Sequence, residues 1–488
     1  MFLYPLRWTL GVAALCLAGC ASTVPHEPQT QRLVSGTYVS AHPGQSSPME
    51  PLAWQALGGD VVLQRLLARS AAANVEGRVA WERVLQARAG LTQLRSRGRP
   101  QIGLEVTASD ERSGLPDAVK QGKPDTQALR LGVNLGWELD LWGAVDAAAQ
   151  AGLHDALAAQ GEWQAVRWTA QHDVARHYVI WQGARLRIDL LEQMVELERQ
   201  AESITERRRS AGMATAMDTA SRRADLQLAE AQLPSLRALR SVTEYNLAVL
   251  LGERPGVGLQ ELHGAPKALP VASVLPVGLP IDLIQRRPDL IVAEQQLLAE
   301  TQRLRVADAD QWPKLLFGAA LGGQDLRLNG LDLSPARFSN VALAFTLPLF
   351  NAGRLQAAVD LQAARQRGAT LRYEHAVLQA VTDVENSLVA WQQQQQAQQH
   401  AQQVWAARQE ATRRAARLQQ EGQIDPLHHI GLQRAELGAR LAHTDAHIAT
   451  ALGSLQLYRA LGGGWSTAEA PLSAPAPTHT VASTRGQP

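Results

Sequence analysis

Several residues in this chain are of types and spacings that could do chemistry. His443 and His447 sit one helical turn apart, the spacing at which two imidazoles can share a metal ion. No carboxylate or cysteine nearby completes a set of ligands, so the expectation is no metal. Serines, histidines and acids occur without the local pattern of a nucleophile elbow or a triad. Gly462, Gly463 and Gly464 precede a tail and no helix, which rules out a phosphate loop. The glutamines between Gln392 and Gln403 suit a solvated helix face. These residues give no enzyme. The pattern with the clearest chemical content is an alternation: Leu129, Leu131, Val133, Leu135, Trp137, Leu139 and Leu141 interleave with Arg130, Asn134, Glu138 and Asp140. One face of such a segment prefers hydrocarbon and the other prefers water, which is the chemistry of permeation rather than of bond making.

The elements that carry this pattern are strands of period two, expected at about residues 100–109, 128–141, 314–323 and 339–349. In the first, Ile102, Leu104 and Val106 oppose Gly103, Glu105 and Thr107; in the last, Val341, Leu343 and Phe345 share a face. Each is about ten residues long and is joined to its neighbour by a polar loop, as a transmembrane strand is. Four strands cannot close a barrel, and lipid does not tolerate an open edge. Three copies would supply an even, twelve-stranded barrel with a wet interior. On that reading Leu131, Val133, Leu135, Trp137, Val341, Leu343 and Phe345 face lipid. Arg130, Asn134 and Glu138 line the channel.

Long helical tracts surround the strands. One is expected from the residues after Trp142 and Gly143 to about Arg209, on the order of 100 Å at 1.5 Å per residue. Within it Leu190, Met194, Leu197, Ala201 and Ile204 follow a coiled-coil seam. Gly212 breaks it, and a return helix ends at Leu251 and Gly252. The pattern repeats about 210 residues later: Gly422 matches Gly212, and Leu461 and Gly462 match Leu251 and Gly252. The organisation expected is therefore a first repeat over 51–252, a Pro- and Gly-rich linker over 253–280, a second repeat over 281–462 and a disordered tail over 463–488. The fold class is mainly α, with long antiparallel hairpins and four strands per protomer.

The amino terminus places the chain. Arg7 and the apolar run from Leu10 to Leu17 read as a signal peptide over 1–19 that is too short to span a membrane. It ends in Leu17-Ala18-Gly19-Cys20, similar to the bacterial lipobox, so Cys20 is expected to carry an N-acyl and an S-diacylglycerol group. Ala21 and Ser22 follow with no Asp behind the cysteine, which favours the outer membrane. Residues 20–50 then form an extended acylated tether. With 47 basic and 46 acidic residues the net charge is +1, which gives nucleic-acid binding no electrostatic support.

Three runs carry a family resemblance: residues 137–143 (WELDLWG), 279–290 (LPIDLIQRRPDL) and 347–354 (LPLFNAGR). The chain resembles the TolC-like outer membrane factors, specifically the NodT-type lipoproteins of efflux pumps, over essentially all of residues 50–465. The resemblance implies a homotrimer with a twelve-stranded barrel in outer-membrane lipids and a twelve-helix barrel in the periplasm. It implies partners as well: a periplasmic membrane fusion protein and an inner-membrane transporter, commonly of the resistance-nodulation-division class. No cofactor beyond the covalent lipid is expected.

The resemblance also points to the hairpin tips as a gate. Members of the family often place acidic residues after the tip glycines, forming a ring that coordinates cations. Asp218 fits this in the first repeat. In the second, Asp425, Leu427 and His428 follow Gly422; His428 aligns with Asp218, and Gly431 stands where related proteins often have an acid. A constriction of Asp218, Asp425, Leu427 and His428 would respond to pH near the range where histidine titrates. Solvated loop-end histidines are the plain alternative. Export of proteins or peptides, as in type I secretion, and a non-porous lipid-anchored scaffold are the competing functions.

Overall fold

The computed structural model describes residues 60–112, 126–266, 278–328 and 334–463, together with 28, 30–34, 36–41, 114, 269, 331 and 332. The signal peptide, Cys20, most of the tether and the tail after 463 lie outside the described residues.

The chain runs α1 (Val61–Ala73), α2 (Val75–Arg97), β1 (Gln101–Glu111), β2 (Thr126–Leu139), α3 (Ala144–Ser210) and α4 (Ala216–Leu250). After the linker come α5 (Asp282–Arg286), α6 (Pro288–Ala309), β3 (Lys314–Leu328), β4 (Leu331–Asp332), β5 (Ala336–Thr346), α7 (Arg354–Gln420) and α8 (Pro426–Ala460). The duplication is exact in length for the long helices. Both α3 and α7 hold 67 residues, and both α4 and α8 hold 35.

The strand boundaries differ from the sequence expectation by a few residues. The fourth strand lies at Ala336–Thr346 rather than 339–349, because pairing to β3 fixes its register and Pro348 has no N–H to extend the ladder. The second runs Thr126–Leu139 and stops short of 141, and the third extends beyond 323 to Leu328. The two-residue β4 at the tip of β3 is an addition that alternation alone does not signal.

The polypeptide divides into two compact units that cut across the repeats. The first comprises Met1–Gly36, Ala73–Arg167 and Pro280–Asp383; the second Thr37–Ala72, Trp168–Leu279 and Val384–Pro488. In the first unit the antiparallel sheet has the order β1-β2-β3-β5, so strands of both repeats pair directly. Its helices follow the same order. Trp81 of α2 meets Trp163 of α3 with ring centroids 5.0 Å apart. On the next side of α3, Asp155 takes Arg303 of α6 at 2.6 Å and His154 reaches Gln295 at 2.8 Å. Leu304 and Ala307 of α6 then pack on Val359 of α7. Each strand thus has its own helix, and four strand-and-helix pairs stand side by side.

In the second unit Ile188, Leu191 and Val195 of α3 form a buried cluster with Leu226, Ala229 and Leu233 of α4. Arg187 of α3 reaches Asp445 of α8 at 2.5 Å. Thr450 of α8 donates to the Gln394 carbonyl of α7 at 3.2 Å. At the base of the unit Asp60 accepts from the Tyr178 hydroxyl at 2.7 Å, and Arg69 is clamped between Glu253 and Glu261.

Candidate channel wall and hairpin tips

The sheet of the first unit separates two chemistries by register. Ile102, Leu135, Ala319 and Val341 form one cross-strand row; Trp137, Phe317 and Leu343 form the next; Leu139, Leu315 and Phe345 follow. Leu131 and Val133 continue the same face. Leu131, Val133, Trp137, Val341, Leu343 and Phe345 are exposed, Val341 at 75%, and Leu135, Leu139, Leu315, Phe317 and Ala319 are half-buried, so this apolar face is left largely uncovered by the described residues. The opposite face carries the rows Thr107–Arg130–Gln324–Ala336, Glu105–Gly132–Gly322–Phe338 and Gly103–Asn134–Ala320–Asn340. There Asn134 donates to Glu105 at 3.4 Å.

At the helix end of the sheet three indoles are anchored. Trp137 Nε1 donates to the Gly98 carbonyl at 3.1 Å, and Trp142 Nε1 donates to the Pro313 carbonyl at 2.7 Å while packing on Trp312. Amphipathic rings held this way suit a boundary between hydrocarbon and water.

The tips belong to the second unit and are built alike. Gly212 and Gly422 take φ of +77° and +73°, the left-handed conformation that lets each helix end in a tight turn. The next residues bond back five positions, Met213 N to Arg208 O and Gln423 N to Leu418 O, both at 2.8 Å. The return helices then start differently. Thr215 and Asp218 form a reciprocal capping box, with Asp218 accepting from Thr215 N at 2.8 Å and donating its own N–H to Thr215 Oγ1 at 3.2 Å. Those bonds from Thr215 hold the Asp218 carboxyl below the usual carboxylate range.

Asp425 caps α8 through Leu427 N at 3.0 Å and also receives both Nη atoms of Arg208, at 2.8 and 2.5 Å. The Arg208 hydrogen bond is the main cause that lowers its carboxyl. His428 occupies the third helical position, as Asp218 does in α4, and is exposed; Leu427 is half-buried. The four sequence-derived tip residues therefore start two helices, and two of them cap. His443 and His447 stack 6.0 Å apart with Trp405 beyond. Among the described residues no group of three potential metal ligands occurs.

Sequence reading missed two members of these regions. Glu198 of α3 is buried, with a side-chain exposure of 3%, and pairs with Arg434 of α8 at 2.6 Å; Arg434 also lies 3.8 Å from Asp225 of α4. Its Oε2 has no hydrogen-bond partner, and burial raises its carboxyl pKa against the pull of Arg434. A charged residue in a heptad tract carries no local mark of burial. The other is Phe338, which the expected start of the last strand left outside the sheet.

Comparisons with known proteins agree with this geometry. A family model described as outer membrane efflux protein matches residues 66–253 and 279–463. The outer membrane protein OprJ of Pseudomonas aeruginosa is 26% identical over 93% of this chain and 94% of its own length. The pyoverdine export outer membrane protein OpmQ of the same organism is 29% identical over 93% and 96%. Among solved structures, the outer-membrane channel OprN superposes with a TM-score of 0.78 at 26% identity, covering 91% of this chain and all of that one.

Proposed function

Since the chain belongs to the outer membrane efflux protein family, we propose that it is the outer-membrane channel of a tripartite efflux pump, a passive conduit for small molecules. The observation that carries this is the sheet: a two-faced set of strands whose outer members, β1 and β5, each keep one edge unpaired among the described residues. In hydrocarbon those backbone groups must find strands elsewhere. Three copies joined β5 to β1 give twelve strands, with the apolar rows against lipid and the Arg130 and Asn134 rows around water.

The helices support the same closure. Leu361, Leu371, Leu378, Val389, Val404 and Leu418 make an exposed seam along α7, and Leu228, Leu239, Val242 and Val249 give α4 a second apolar face. Helices that are apolar on two sides belong in a wall. No helix among the described residues is long and apolar enough to cross a membrane, so the strands carry the membrane-spanning role. Acylation of Cys20 adds an anchor in the outer membrane. A membrane fusion protein and an inner-membrane transporter, of the resistance-nodulation-division class, supply contact with the cell interior and the energy. OpmQ is named for pyoverdine export, in keeping with small-molecule cargo.

The test is the mass of the detergent-purified oligomer combined with circular dichroism and planar-bilayer conductance. A trimer, dominant in helix, that forms channels is expected. A monomer overturns the reading.

A further inference from the structure

Resting on the conduit reading, the geometry points to a binding site for planar aromatic solutes on the inner wall, centred on Phe338. The row Glu105–Gly132–Gly322–Phe338 lies about midway along the paired strands, on the polar face. On that face of the four long strands every other paired position is aliphatic, polar or glycine; Phe338 is the only aromatic ring. Its ring does not stand up from β5. It lies along the sheet across β3 and onto β2: Cζ is 2.7 Å from where a Cβ on Gly132 would sit and 2.8 Å from the corresponding point on Gly322. Two glycines paired directly across β2 and β3 thus make a bed that any side chain would fill.

A ring over two glycines has backbone beneath it, and Phe338 keeps part of its own surface exposed. The next row toward the helices is Gly103–Asn134–Ala320–Asn340 and the one beyond is Gln101–Gly136–Gly318–Ala342, so no second ring and no branched aliphatic side chain stands on that side of Phe338. The reach of the ring onto Gly132 brings it next to the strand that bears Glu105, whose carboxylate accepts from Asn134. Arg130 is the cation one row away. A planar ring stacked on Phe338 can therefore set a cationic group toward Glu105, and an anionic one toward Arg130. Stacking tolerates many ring systems because every planar ring has a π face, which suits a conduit that handles varied cargo. In a closed trimer there are three such platforms at one height.

The experiment uses ethidium as the probe, a planar aromatic cation, titrated by fluorescence polarisation into the full-length, detergent-purified protein after its oligomer mass and circular dichroism have been recorded. Saturable binding by the wild type is expected, weakened about tenfold in F338A and in F338L and restored in F338Y, since a lost aromatic contact of ordinary strength has that effect. G132A, which removes the bed and lifts the ring, is expected to change the affinity while F338 is still present; E105Q weakens ethidium selectively. A wild-type trimer that binds no ethidium, or an F338A trimer that binds it as well as wild type, overturns this site and leaves the conduit reading standing. A monomeric wild-type protein overturns both.

Discussion

At the scale of the residue, the second unit is held by a small number of charges. Glu198 has its carboxyl raised by burial, so its protonated form is favoured in the folded state. The stability linked to it is complete below the ordinary carboxylate range and is lost as pH rises through the raised value. E198Q keeps the shape and a hydrogen-bond acceptor for Arg434 while removing that titration. The variant is expected to flatten thermal stability against pH just above the ordinary carboxylate range, where wild type declines; parallel melting profiles would refute it. Asp425 works in the other direction. Its lowered carboxyl contributes above the ordinary range and loses its effect as pH falls through the lowered value. Replacing it in D425A removes both the α8 cap and the Arg208 fork, and the cap alone is worth about 1 kcal/mol. Faster hydrogen exchange confined to the first turn of α8 is the expected signature. His428 is exposed beside this cap, where the proposed constriction would lie: single-channel conductance of H428A is expected to differ from that of wild type, and superimposable conductances would remove it from the gate.

Elements show what a single sequence displays and what it hides. The alternation of Leu131, Val133 and Leu135 against Arg130 and Asn134 is local, so the strands and their two faces were legible from residue order. The tip turns were legible too, because Gly212 and Gly422 mark left-handed positions. Register was not. It depends on β2 of the first repeat pairing with β3 of the second, and so Phe338 was left outside the sheet. The arginine before Pro288 is a similar case. Sequence explains Pro288 at the first turn of α6 and Asp289 near its dipole. Only the fold shows that Arg287, whose side chain is 8% exposed, grips both Asp289 at 2.7 Å and Asp383 of α7 at 3.1 Å. That fork joins the start of α6 to a helix of the same unit almost a hundred residues later. Asp289 and Asp383 are themselves 44% and 50% exposed, so water takes over their charge when the arginine is removed, and what is lost is the buried arginine stem and its charge-assisted hydrogen bonds. R287A is therefore expected to destabilise the first unit by about 2 kcal/mol, read as a fall in melting temperature larger than that of R287K, which retains the charge without the planar fork.

For the whole molecule, duplication solves a supply problem. One repeat provides two strands and one long hairpin; two repeats provide four strands whose order is matched by four helices, yet among the described residues both edges of that array stay open. In the proposed assembly copies of the chain supply the complement, each edge continuing the other, and a heterologous contact of this kind closes into a ring or runs on as a filament. Closure is expected to depend on the helical seam as much as on the strands. Leu371 and Leu378 are exposed by 60% and 48% in the single chain and lie one heptad apart on α7. Aspartate at both positions, L371D together with L378D, leaves the intrachain core of α7 untouched, since Val377, Ala380 and Val384 face inward. The double variant is expected to retain helical circular dichroism while its detergent-solubilised mass falls from trimer to monomer and its bilayer conductance disappears. A double variant that stays trimeric would show that the seam is not an interface between copies, and would leave the strand edges alone to account for assembly.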